Sequence, residues 1–323
     1  MPDNFSNLFQ TQSQAKTGIS EIMEQATKMG FTANNPDWAN LGQGSPETGQ
    51  IEGDLDRIQN ISVKEFADYP PNSGTKELRQ KIADFYNQIY RQNQTQKYSY
   101  QNVCILNGGR GAVVKALAVL NKIRFGYLLP DYASYEGAFS LFRDLDLEGI
   151  LLDEKDSFKL DLKNIISAIQ EKSLKGLLMS NPSNPTGQMM NKNDLKEFLT
   201  FLKNKEFCLI HDEFYSRYIY NQESQTQTIS ASEFIEDTEK ENVIIIDGLT
   251  KSWRYPGWRL SWILAPQKVV EEISIVSSFM DGGAAFPLQN AALELFDTQN
   301  FAKNTQAMQK TFNQKREFLI KSL

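Results

Sequence analysis

Apolar residues along this chain gather in short runs, and stretches of helical spacing separate the runs. The runs are Val103–Leu106, Tyr127–Leu129, Gly149–Leu152, Leu177–Ser180, Phe207–Ile210, Val243–Ile246 and Leu260–Leu264. They are almost wholly apolar rather than alternating, the mark of strands buried on both faces. Between and after them the spacing predicts helices over Gly111–Asn121, Ala133–Arg143, Leu160–Glu171, Lys192–Lys203 and Gln267–Phe279. Strand and helix taking turns predicts an α/β fold, a mostly parallel sheet with helices on both faces. Upstream, Leu78, Ile82, Phe85 and Ile89 stand at i, i+4, i+7 and i+11 and predict an amphipathic helix from about Thr75 to Arg91. A shorter helix is expected over 18–30, after a polar arm over 1–17. Residues 31–72 carry Gly, Pro and Asn throughout and read as loop. From 285 onward the pattern is helical to the end.

Composition narrows the function classes. Lys plus Arg number 34 and Asp plus Glu 40, so the net charge is −6. An acidic chain argues against nucleic acid or an anionic membrane as the main partner. No apolar run approaches the roughly 18 residues of a membrane helix. The start, MPDNFSNLFQTQSQ, lacks the basic and apolar regions of a secretory signal. Cys104 and Cys208 sit in apolar runs with no C-x-x-C spacing and read as buried free thiols. One histidine leaves little scope for His-based zinc chemistry. These features point to a reducing, cytoplasmic setting.

In parallel sheets ligands bind beyond the carboxyl ends of the strands, so the residues just after each run carry the interest. After Leu106 comes Asn107-Gly108-Gly109-Arg110-Gly111, a glycine-rich helix start whose backbone N–H groups can face a phosphate. It matches neither G-x-G-x-x-G nor a P-loop. After Ser180 comes Asn181-Pro182-Ser183-Asn184-Pro185-Thr186-Gly187, a path stiffened by two Asn-Pro pairs. After Ile210 comes His211-Asp212-Glu213-Phe214-Tyr215. Asp212 there is either a helix cap or a buried acid that needs a cation. After Ile246 comes Asp247-Gly248-Leu249-Thr250-Lys251-Ser252-Trp253-Arg254-Tyr255-Pro256-Gly257-Trp258-Arg259. A lysine just past a buried strand can be desolvated, which makes its amine nucleophilic.

A lysine amine, an aspartate, a tyrosine, an asparagine, an arginine and a phosphate-ready helix start are the groups that pyridoxal phosphate requires. At N-P-x-N-P-T-G, D-E-x-Y and T-K-S-W-R-Y-P-G-W-R the chain resembles the class I/II aminotransferases, fold-type I pyridoxal phosphate-dependent enzymes, from about residue 17 to 323. The resemblance implies transfer of an amino group from an amino acid to a 2-oxo acid, with Lys251 as Schiff-base lysine and proton shuttle. Asp212 would pair with the pyridine nitrogen, and Tyr215 and Asn184 would bond the phenolate oxygen. Arg259, with Gly108, Gly109 and Arg110, would hold the phosphate, and Tyr132 would stack on the ring. Tyr69, in Y-P-P-N-S-G, would reach the partner subunit's cofactor, which implies a homodimer with shared sites. Gly42 and Asn184 would line the substrate pocket. Arg254, Arg217 and Tyr220 lie near the motifs, either shaping the pocket or packing behind it.

Two departures stand out. Gly248 occupies the place, three before the lysine, where the family often carries a phosphate-binding hydroxyl. The chain also ends inside what resembles the helix leading into a C-terminal small domain, the part that carries the arginine for the substrate carboxylate. The expected organisation is an arm over 1–17, a segment over 18–60 contributing to a small domain, a large cofactor-binding domain over 61–285, and over 286–323 the helix into an absent C-terminal domain. Another reaction of the same cofactor, elimination or lysis, and a truncated, catalytically silent cofactor-binding protein remain as alternatives.

Overall fold

The computed structural model describes residues 18–32, 35–42, 44–142, 144–220 and 228–323; the arm over 1–17 and Arg143 lie outside them. The first helices are α1, Gly18–Lys28, and α2, Lys76–Ile89. Thr75 caps α2 by accepting from the Leu78 N–H, and Leu78, Ile82 and Phe85 are buried along one face, as their spacing predicts.

The strands are β1 (Val103–Leu106), β2 (Arg124–Leu129), β3 (Asp146–Leu151), β4 (Gly176–Ser180), β5 (Cys208–Asp212), β6 (Val243–Gly248) and β7 (Ser261–Leu264). They form one sheet in the order β1-β7-β6-β5-β4-β2-β3. Each contains most of an apolar run read from the sequence, and several extend it by a few residues at one end. Only β7 runs against its neighbours, β1 and β6. The reason is the connection: between β6 and β7 lies only a 3-10 turn, Pro256–Trp258, and no crossover helix to return the chain to the same end of the sheet. Ser180 pairs with Asp212, and Asp212 with Ile246, so β4, β5 and β6 reach the same edge together.

Successive residues in each strand face opposite layers. Ile105, Leu177, Met179, Leu209, Ile245 and Trp262 pack into one core with α2, α5 (Leu162–Glu171) and α6 (Lys192–Leu202). Cys104, Leu106, Leu178, Ile210, Ile246 and Ile263 pack into the other with α3 (Gly108–Ala118), α4 (Ser134–Phe139) and α7 (Gln267–Met280). Helix α3 starts three residues before the sequence expectation, and α4 stops at Phe139. The C-terminal part is α8 (Phe286–Ala292) and α9 (Phe301–Ser322); α9 buries one face of its first half, through Phe301, Asn304, Thr305, Ala307, Met308 and Gln309, and is exposed at Phe318 and Ile320. Both cysteines are free. Burial pushes each thiol up to about 12, which keeps it unreactive. Among the described residues, no helix is long and apolar enough to cross a membrane.

Candidate active site

The residues after β1, β2, β4, β5 and β6 converge at one edge of the sheet. Asp212, the last residue of β5, is buried. Its Oδ2 accepts from Tyr135 Oη at 2.7 Å and its Oδ1 from the Phe214 N–H at 3.1 Å. Among the described residues it forms no ion pair, and burial raises its pKa. Tyr135, on α4, escaped the sequence reading. Its signal was there, since it stands three residues after Tyr132, one helical turn along; the two rings meet edge to face at 5.5 Å.

Lys251 lies beyond β6 and is half-buried. Its Nζ donates to the Gly44 carbonyl and lies 5.5 Å from the centroid of the Tyr215 ring. Its pKa is lowered, first by burial and then by repulsion from Arg110 and Arg259, with Asp212 opposing. That is the condition for a nucleophilic amine.

Opposite the amine stands an anion cradle. Helix α3 begins at Gly108, where φ is +74°. A Cβ there would lie 2.0 Å from Arg259 Nη2, so the guanidinium rests on the glycine itself. Asn107, at the helix N-cap position, makes no capping bond and donates to the Gly283 carbonyl instead, at 3.0 Å. The first amides of α3 are therefore left for an anion. Arg110 donates through Nε to Tyr132 Oη at 3.1 Å, and Arg259 donates to the Pro256 carbonyl at 3.1 Å. Neither guanidinium meets a carboxylate among the described residues.

Gly248 is where a family hydroxyl would stand, and the fold has no room for it. A Cβ there would lie 2.8 Å from the Leu260 carbonyl oxygen and 2.9 Å from the Phe214 ring. The same ring would lie 2.6 Å from a Cβ on Gly109. Phe214 thus fills the space between the two glycines. Gly248→Ser should cost about 1–3 kcal/mol of stability through overpacking, measured by urea unfolding; an unchanged midpoint would show that the ring moves freely aside.

The Asn-Pro loop is tied down from β2. Asp131 accepts from the Ser180 N–H at 3.0 Å, from Ser180 Oγ, and from the Tyr132 N–H at 2.8 Å. Ser180 Oγ accepts in turn from the Asn184 N–H at 3.1 Å. Asn181 closes the loop on Met190 in both directions, so of the two asparagines only Asn184 keeps its side chain free of bonds to the described residues. Burial pushes the Asp131 carboxyl up to about 7. A carboxyl whose folded pKa is raised binds its proton more tightly in the folded state, so stability falls as pH rises through that window. The melting midpoint of the cofactor-free chain should therefore drop between about pH 4 and pH 7. Asp131→Asn should remove part of that slope in a calorimetric series.

Other expected residues lie elsewhere. Gly42 stands against Asn40 and Ile22; in its segment it is Gly44 that faces the amine. Tyr69 is 91% exposed and outside the cluster. Arg217 packs behind the site, buried between Trp253 and Phe301 with its donors on Thr305 and Ser252. Tyr220 is half-buried beside Arg316.

The chain is similar to known proteins over most of its length. It is 24% identical to an aspartate aminotransferase of Pyrococcus horikoshii over 310 residues, 95% of this chain and 74% of the relative. It is 27% identical to a tyrosine aminotransferase of Dictyostelium discoideum, covering 93% and 73% of the two chains. In structure it resembles an aspartate aminotransferase of Thermotoga maritima with a TM-score of 0.73 at 22% identity, over 94% of this chain and 76% of the other, a likeness of fold. The model of the family "Aminotransferase class I and II" matches residues 29–323. With that match spanning the sheet and every motif at its edge, the chain belongs to the class I and II aminotransferases.

Proposed function

We propose that this site binds pyridoxal phosphate and moves an amino group from an amino acid to a 2-oxo acid. One observation carries the reading. A lysine of lowered pKa stands beside two guanidiniums and uncapped helix amides, with a buried carboxylate in the same cluster that forms no ion pair among the described residues. That charge pattern fits a group with a dianionic phosphate, a protonatable ring nitrogen and an aldehyde that reaches an amine.

In this reading Arg259 and the N–H groups of Gly108, Gly109 and Arg110 hold the phosphate. Asp212 accepts from the ring N–H, and Tyr135 keeps its carboxylate oriented. Tyr132 covers one face of the ring. Asn184 and Tyr215 donate to the ring oxygen. When bound, the cofactor supplies an aldehyde carbon and an electron-accepting ring, which eases loss of the substrate Cα proton. Lys251 Nζ holds the cofactor at rest, then takes that proton and returns it. Residues 61–285 would form the large cofactor-binding domain, 18–60 would contribute to a small domain, and 286–323 would carry the helix leading toward it. Tyr69, exposed on its own chain, would serve the partner's site in a homodimer. Two free thiols support a cytoplasmic setting.

The test is an absorbance titration of the purified chain with pyridoxal phosphate, then with amino acids. A yellow band that borohydride fixes at Lys251, and that an amino acid bleaches while a 2-oxo acid restores it, is the expected result. A band that releases ammonia with no oxo-acid acceptor would overturn transamination.

A further inference from the structure

Arg254 is placed oddly for a surface loop. It is 1% exposed, and its φ is +61°, the left-handed region that an arginine enters at a cost. Its guanidinium explains the placement. Nη1 donates to the carbonyls of Glu47 at 2.8 Å and Gly49 at 2.7 Å, and Nη2 meets Asp54 Oδ2 at 2.5 Å. Three acceptors from one short segment fill one planar fork, a geometry that a lysine cannot copy.

The segment answers in kind. Arg57 donates to the carbonyls of Trp253 at 2.9 Å and Arg254 at 2.8 Å and lies 3.5 Å over the Tyr255 ring. Tyr255 Oη accepts from the Ile58 N–H at 3.0 Å. Gln50 folds the segment on itself, accepting from the Arg57 N–H at 3.1 Å and donating to the Leu55 carbonyl at 3.1 Å. At the near end of the same segment, the Gly44 carbonyl accepts from Lys251 Nζ.

The geometry points to Arg254 as a positioning residue: with Arg57 it docks residues 44–58 on the loop after Lys251 as one wall of the amino-acid pocket, and so fixes where Gly44 stands relative to the amine. The assignment of that wall to the pocket rests on reading Lys251 as the reactive amine. The clasp reaches the chemistry only through the segment it holds. Its loss should therefore alter substrate binding and leave the cofactor in place.

The test compares Arg254→Ala, Arg254→Gly and Asp54→Asn in the full chain. Glycine relieves the left-handed backbone and alanine does not, so an effect shared by both belongs to the lost guanidinium. Hydrogen exchange of the cofactor-free chain should quicken about tenfold or more over 44–58 in both Arg254 variants, and less in Asp54→Asn, which serves if the others fail to fold. With cofactor loaded, KM for the amino acid should rise about tenfold while kcat changes less than about threefold. Borohydride incorporation at Lys251 should be unaltered. Unchanged exchange over 44–58 would overturn the clasp. Faster exchange with unchanged KM would overturn the wall. A wild-type chain that takes no cofactor at Lys251 would overturn the functional reading and the pocket wall with it, while the exchange data would still decide the clasp.

Discussion

Lys251→Ala is expected to lower amino transfer by at least about 10⁴-fold and to leave no band that borohydride fixes to the protein. Two roles fall on one atom. In the proposed reading Nζ is both the nucleophile that holds the cofactor and the base that moves the Cα proton, so its loss would remove both at once. The neighbouring cations offer no substitute, because Arg110 and Arg259 carry guanidiniums, which are poor nucleophiles toward a carbonyl. The lowered pKa of Lys251 adds a pH signature. Burial, then Arg110 and Arg259, disfavour the charged amine, so cofactor capture should set in below the ordinary lysine range. Capture followed against pH by absorbance checks this. An alanine variant that keeps a tenth of wild-type turnover would remove Lys251 from the mechanism.

Asp212→Asn should reduce turnover by about 10²–10³-fold and at the same time make the cofactor-free chain more stable above neutrality. The two effects share one cause. Among the described residues the buried carboxylate meets no cation, and burial raises its pKa. Its folded pKa exceeds the unfolded one, so its contribution to stability falls as pH rises through that window. Asparagine carries no such charge. In the proposed reading the same carboxylate would accept from the cofactor's ring N–H, which asparagine would serve poorly, so the stability order of the loaded proteins should reverse. Melting curves with and without pyridoxal phosphate at pH 8 make the comparison. A variant less stable than wild type in the cofactor-free state would show that the Tyr135 bond already compensates Asp212.

Much of this site was legible because strand ends are legible. Gly108, Asn184, Asp212 and Lys251 each follow a nearly unbroken apolar run, and a parallel sheet brings such positions to one edge whatever their separation in sequence. The helix Thr75–Arg91 was legible from its apolar stripe, and the observed Lys76–Ile89 lies within it. The reversal of β7 follows from the lack of a helix between Gly248 and Ser261, a feature of the sequence that strand runs alone do not bring out. Contacts that depend on side-chain direction were out of reach. Arg254 and Arg259 share a motif and a charge; one turns to Glu47 and Asp54 and the other to Gly108, and nothing in their spacing separates them. Phe214 stands in the sequence only as a spacer between Asp212 and Tyr215, and its ring fills the space that a Cβ on Gly248 or Gly109 would need. Gly44 rather than Gly42 faces the amine in a segment that also meets Arg254, some two hundred residues away in sequence, a contact that no local turn signal discloses.

The place of β1 in the sheet has a consequence for how the protein is made. β1 is the first strand in the sequence, yet it pairs only with β7, the last, with Val103 opposite Leu264. The anion cradle spans that seam, with Gly108 on one side and Arg259 on the other. On the ribosome, β1 leaves the exit tunnel with its edges unpaired and waits while the whole middle of the sheet is synthesised. Only when Leu264 has emerged can the seam close and the cradle exist. Capture of phosphate by a nascent chain would therefore mark the moment the sheet is complete, and a chain halted before β7 would have no grip on the cofactor, although its glycine-rich turn, its loop and Asp212 had all been made.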